Sequence, residues 1–216
     1  MIHQFGIHDI LYLLSGAGWT LILSAVTMIG GGMIGFCVAL MRISSSHVLH
    51  GIAVVYIELI QSTPVLMVVF LVYFGPGIFG IELPKFPAAA LALVVYSSAF
   101  FAEIWRGAIQ SVPRPQWEAS SALALTWLQQ LRYVILPQAV RVSLPPTVGF
   151  MVQVVKNTSV TSIVGFVDVS RAGQLISNAT FQPFRVYLWV AAIYFVICYP
   201  MSVISRRIER KFNVRR

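Results

Sequence analysis

The sequence predicts an all-α protein, an integral membrane helical bundle of about five transmembrane helices. Three observations predict it. Hydrophobic residues make up 58% of the 216 residues and charged residues only 10%, with a mean hydropathy of +0.82, whereas soluble domains carry about a quarter charged residues. The apolar residues also fall in uninterrupted runs close to the roughly 20 residues that cross a hydrocarbon core. Finally, the net charge of +8 is concentrated: six of the fifteen Lys and Arg lie in the last eleven positions, Arg206 to Arg216. That cluster follows an apolar run, where basic residues hold an end in the cytoplasm and contact anionic lipid. It does not form the soluble basic patch of a nucleic-acid binder.

The elements follow in order. Residues 1–18 read as an amphipathic periplasmic lead-in with a single acid, Asp9. They lack a basic n-region, so the first span is expected to be retained. The membrane domain covers 19–205, with spans at about 19–41, 51–74, 86–105, 141–155 and 185–204, and a basic cytoplasmic tail at 206–216. The second run is interrupted by Glu58, Gln61 and Pro64; the fourth is the weakest. Arg42 follows the first span, and Arg106, Arg114, Arg132 and Arg141 lie between the third and fourth. This alternation places the N-terminus outside and the C-terminus in the cytoplasm, although Lys156, Arg171 and Arg185 dilute it. Cys37 and Cys198 both sit in apolar runs and read as small buried residues, not a disulfide pair.

The connection 112–137 then faces the cytoplasm. Pro113 and Pro115 stop the preceding helix, and Pro115 suits the first turn of the next. Glu118 is expected in that first turn, where a carboxylate complements the helix dipole. Ala119, Ser120, Ala122 and Ala124 give slim faces; Leu123 and Trp127, four apart, are expected to share a side. Leu136-Pro137 is expected to end the segment. Composition alone leaves open an interfacial helix without a partner.

The spacing adds a resemblance. Glu118-Ala119-Ser120-x3-Ala124-x9-Val134-x-Leu136-Pro137 resembles the EAA loop of bacterial ABC-importer permeases, EAA-x3-G-x9-I-x-LP. Glu58 to Pro64, Ala102 to Gly107, Val112-Pro113, Gln116, Leu144 to Pro146, Lys156 to Ser159 and Glu209 to Lys211 look like segments of the polar amino-acid permeases, a match over roughly 15–212. Five positions depart from that pattern: Ala124 for Gly, Ser120 for Ala, Pro115 for Gly, Gln61 for Arg and Asn157 for Asp. The first three bear on docking geometry, and Ala124 implies a helix that continues rather than turns. The last two bear on substrate preference.

The resemblance implies a type I importer permease in the bacterial inner membrane, with no catalytic chemistry of its own. Gln116, Glu118, Ala119, Ser120, Leu123, Ala124, Leu136 and Pro137 would engage an ATP-binding subunit. ATP and Mg would be held by that partner, and no cofactor or metal by this chain. A periplasmic or lipid-anchored substrate-binding protein would deliver an amino acid, and a second permease, identical or paralogous, would complete the pathway. There is indeed no G-x-x-x-x-G-K-[ST] to bind ATP here.

Ionisable groups within a membrane are costly enough to suggest function. Glu58 and Gln61, three apart and followed by Thr63-Pro64, share a face that lines a pathway, meets the partner subunit, or forms a structural hydrogen-bond pair. Lys156, Asn157 and Ser159 are expected on irregular backbone at a gate, tolerated only against protein or water. Glu103 and Arg106 read as a structural ion pair. Gly30 to Gly35 matches G-x-G-x-x-G literally, but within a span Gly31-x-x-x-Gly35 reads as a helix-packing face. His47 and His50 have no third ligand in view. The competing classes are an ion-coupled secondary transporter or channel subunit, motivated by Glu58 and Glu103, and a passive membrane anchor.

Overall fold

The structure, a computed structural model, describes residues 4–213. Its elements are α1 (Ile7–Arg42), α2 (His47–Gln61), α3 (Val65–Phe74), α4 (Lys85–Gln110), α5 (Arg114–Ala122), α6 (Trp127–Gln129), α7 (Leu136–Asn157), α8 (Val169–Thr180) and α9 (Pro183–Asn213). Among the described residues there is no strand.

Helix α1 merges two predicted elements. Residues 7–18 of the lead-in and the first span form one helix of 36 residues, about 54 Å at 1.5 Å per residue; residues 1–3 of the lead-in lie outside the described residues. It starts at Ile7 because the Gly6 N–H donates to the Asp9 carboxylate at 2.8 Å, satisfying a donor that a helix start leaves open. Among the described residues, three helices are long and apolar enough to cross a membrane: Ile7–Arg42, Lys85–Gln110 and Pro183–Lys211. Two further helix pairs among the described residues pass the same test only together, each bent at a short break. The predicted span 51–74, interrupted in sequence at Glu58, Gln61 and Pro64, falls on one of them, with a bend of 103° between α2 and the helix beginning at Val65. Pro64 cannot donate to the preceding turn, and Thr63 folds its hydroxyl back onto the Leu59 carbonyl at 2.7 Å.

The fourth span also differs from its expected start at 141. Helical backbone runs from Trp127 through a π-helical turn, Gln130–Ile135, into α7. Pro137 explains the turn: it has no N–H for the Tyr133 carbonyl, and its ring crowds that carbonyl. The wider turn lets the Leu136 N–H reach back to Leu131 instead. Leu136-Pro137 therefore continues a helix rather than ending a segment.

Helix α4 is the centre of the bundle, packed against α1, α2, α3 and α7. The α1–α4 approach is close because α1 presents glycines. A Cβ at Gly31 would lie 3.1 Å from Ser97 Cβ, and one at Gly35 only 2.8 Å from Phe101 Cβ and the Ser98 carbonyl. The predicted Gly31-x-x-x-Gly35 packing face is thus present. Phe101 stacks on Trp105 (5.4 Å between centroids), whose indole N–H donates to Thr147 at 3.0 Å and ties α4 to α7. At the other end, Asp168 caps α8 by accepting from the Arg171 N–H at 2.8 Å. Its second oxygen accepts from the Tyr194 hydroxyl of α9 at 3.0 Å. The two thiols are free; Cys198 is buried as expected, whereas Cys37 lies exposed on the outside of α1.

Candidate coupling surface and polar clusters

Helix α5 stands at the end of the bundle where α1 and α4 stop. Pro113 occupies its N-cap position with extended backbone (ψ 138°), and Pro115 lies in the first turn. The helix begins at Arg114, so Glu118 falls in the second turn, not the first. The dipole of the first N–H groups, which fades within a turn, is not what holds it. Glu118 is exposed, as are Gln116, Ala119, Leu123 and Ala124. Ser120 alone of the triplet turns inward, its hydroxyl donating to the Trp117 carbonyl at 2.8 Å. Trp117 packs on the cluster of Ile109, Val112, Leu131 and Ile135 that anchors the helix to the bundle.

The helix stops where Ala124 was expected to let it continue. Ala124 has φ +54°, a left-handed conformation. Its N–H donates to Ser121 at 2.9 Å, and the Leu125 N–H donates to Ser120 at 3.4 Å. This is the two-bond Schellman ending, with alanine in the position glycine usually fills. Leu123 and Trp127 consequently sit on separate elements; Leu123 is 75% exposed. A new start follows at once, as the Thr126 N–H donates to the Gln129 side chain at 2.9 Å. Gln138 reaches across to the Gln116 side chain at 3.4 Å.

The predicted pathway residues divide into two groups. Glu58 and Gln61 share a 120 Å³ cavity with Arg42 and Glu103, and the Gln61 amide donates to the Ala99 carbonyl at 3.4 Å. Glu103 receives both oxygens' worth of Arg106, with contacts of 2.6–3.0 Å, and lies 3.9 Å from Arg42. The expected Glu103–Arg106 pair is present, but Arg42 makes it a cluster. Sequence spacing could not find that partner, because Arg42 is 61 positions away from Glu103 on another helix. Thr63 turns back onto its own helix.

Lys156 and Ser159 instead line a 320 Å³ cavity against Tyr187 and Tyr194 of α9. Asn157 is buried and accepts from Gln153 at 3.1 Å. The expected irregular backbone is present: α7 gives way to a 3-10 segment, Thr158–Val164, which ends at Gly165 with φ +78°.

Residues 31–214 match the family described as the binding-protein-dependent transport system inner membrane component. The chain belongs to this family. Every predicted coupling and pathway residue lies inside the matched region, so this is a transport permease. It is 34% identical over 209 residues to the probable amino-acid ABC transporter permease protein YckA of Bacillus subtilis (strain 168), covering 97% of this chain and 92% of that one. It is likewise 34% identical to the glutamine transport system permease protein GlnP of Escherichia coli (strain K12), covering 94% and 93%. The permease superposes on a solved amino acid ABC transporter with histidines at TM-score 0.87 and 36% identity, over 93% of this chain and 94% of that one. The MetNI methionine ABC transporter, inward facing, shares the fold at TM-score 0.82 with 20% identity, over 96% and 99%.

Proposed function

We propose that this permease forms half of the membrane pathway of an ATP-driven, binding-protein-dependent amino-acid importer, and that α5 is its coupling helix. The observation that carries the reading is α5 itself. The triplet Glu118-Ala119-Ser120 lies on a short helix whose Ser120 side faces the bundle while Gln116, Glu118, Ala119 and Leu123 face outward. The similarity to permeases named for amino acids and glutamine supports the cargo class. ATP and Mg are bound by a separate ATPase subunit, and closure of two such subunits draws two coupling helices together and turns the pathway outward. The coupling is a difference in ATPase affinity between the two pathway states. A binding protein delivers the substrate, and a second permease copy or paralogue completes the cavity. The N-terminus lies outside and the basic tail in the cytoplasm. Glu58 and Gln61 border the pathway near its cytoplasmic end; Lys156 and Ser159 act as a separate polar gate.

Glu118→Arg tests the reading. Replacing an exposed carboxylate on the docking face by a cation should weaken ATPase association at least tenfold, equivalent to about 1.4 kcal/mol. Membrane insertion should be unchanged. Normal association and normal uptake in this variant would remove α5 from the ATPase interface.

A further inference from the structure

Beyond the transport reading, we propose that the permease binds one anionic glycerophospholipid in a two-part site beside α5: the phosphate in a basic cavity, an acyl chain in an adjoining apolar groove. The cavity has a volume of 550 Å³ and lies where α1 and α4 end, at headgroup level if these helices span the bilayer. Arg42 and Arg114 supply its charge, His50 forms part of its wall, Trp117 and Trp127 flank it, and no carboxylate lines it. Arg42 is held in place from the α2 side. The His50 Nδ1–H donates to the Arg42 carbonyl at 2.9 Å, and Nε2 accepts from the Arg42 guanidinium at 2.7 Å. Arg114 has no hydrogen-bond or ion-pair partner among the described residues and remains available to an incoming anion. Basic pockets between helices on the cytoplasmic side suit phosphate headgroups, and tryptophan suits the interface.

The groove supplies the second half of the argument. It encloses 450 Å³ between α1, α4 and α7, bounded by Met33, Phe36, Trp105, Val140 and Leu144. Ile109 lines both the groove and the basic cavity, so the two adjoin at this residue. Phe36 of the groove, on α1, and Ile43 of the cavity, the residue that caps α1, are seven positions apart, about 10 Å along the helix axis. An acidic side chain from an ATPase would satisfy the arginines and leave the groove empty. An apolar helix of a second permease would fill the groove and strand Arg114. A phospholipid presents an anion and an acyl chain at the required spacing and satisfies both.

The test uses the full permease in its purified complex, reconstituted in nanodiscs of phosphatidylcholine doped with phosphatidylglycerol, with retained lipid read by native mass spectrometry. The wild type should retain phosphatidylglycerol in preference to phosphatidylcholine. Arg114→Gln, an exposed position whose loss leaves the bundle intact, should lower that retention about fivefold, the effect of one basic side chain near a headgroup. Arg114→Lys should restore most of it. Val140→Trp, which fills the groove without touching the arginines, should also lower it. Retention equal for both lipids, or unaffected by Arg114→Gln, would overturn the proposal. So would displacement by inorganic phosphate alone, which would mark a free-anion site.

Discussion

Ala124 offers the sharpest prediction, because its backbone sits where its side chain is least welcome. A left-handed conformation costs an L-residue roughly 1–2 kcal/mol through the approach of Cβ to the following carbonyl. Two backbone bonds hold it there: Ala124 N–H to Ser121 and Leu125 N–H to Ser120. Glycine removes the steric term but loses an extra 0.5–1 kcal/mol or so of chain entropy on ordering. The net gain for Ala124→Gly is therefore about 0.5–1 kcal/mol at the end of α5. A tenfold change corresponds to 1.4 kcal/mol, so hydrogen exchange at the amides of residues 124 and 125 should slow about two- to fivefold. Ala124→Val moves the other way, since a β-branched residue at positive φ is a true outlier; exchange there should accelerate. The assay is amide exchange by mass spectrometry in nanodiscs under conditions where opening is in equilibrium. If glycine left protection unchanged or lowered it, the left-handed ending would not exist in solution. If the coupling reading holds, ATPase affinity should follow the same order, because a fraying helix end lowers the population competent to dock.

Variants at four further positions check the packing and the polar contacts. Gly35→Ala should destabilise the bundle by about 1–3 kcal/mol through overpacking, since its Cβ would stand 2.8 Å from Phe101 Cβ and the Ser98 carbonyl. Gly18→Ala, with nothing within 4 Å, should leave the thermal midpoint unchanged or raise it, and a shared drop would refute the close α1–α4 contact. Glu103→Gln removes the charge that both Arg42 and Arg106 face; because these groups are about a quarter exposed, the loss is discounted to about 1 kcal/mol and should shrink in high salt. Identical midpoints for wild type and variant at low salt would show that the cluster contributes nothing. Asp168→Ala should cost about 2 kcal/mol, by losing the α8 cap and the acceptor of the Tyr194 hydroxyl. Asp168→Asn should retain most of the stability, and equal losses in the two variants would deny the cap its role.

The parts of this permease that were legible in its sequence depend on local information, and the parts that were not depend on contacts between distant segments. Long apolar runs reveal α1, α4 and α9 because burial in hydrocarbon requires little beyond length and composition. The two prolines reveal α5, because Pro113 and Pro115 mark its start locally. The 103° bend after Gln61 is different. Pro64 permits a break but sets no angle; the angle depends on where α3 comes to rest, with Val69 packed among Ala89, Ala92 and Leu93 of α4. The π-helical turn before Pro137 could be anticipated only from the covalent chemistry of proline, and reading Leu136-Pro137 as an ending overlooked that a helix can widen instead. At Ala124 the local signal points the wrong way. Alanine is the best helix former, yet α5 ends there because Trp117 packs it against the bundle, with Ser120 buried beside it, while the Thr126 cap starts the next helix at once. A propensity of a few tenths of a kcal/mol per residue yields to an anchored helix on each side. The same logic explains Glu118. Its turn is set by Pro113 capping α5 at Arg114, one residue before the proline that marked the start by sequence, and that single residue carries the carboxylate out of the reach of the helix dipole. What orients Glu118 outward is the inward anchoring of Trp117 and Ser120 on either side of it.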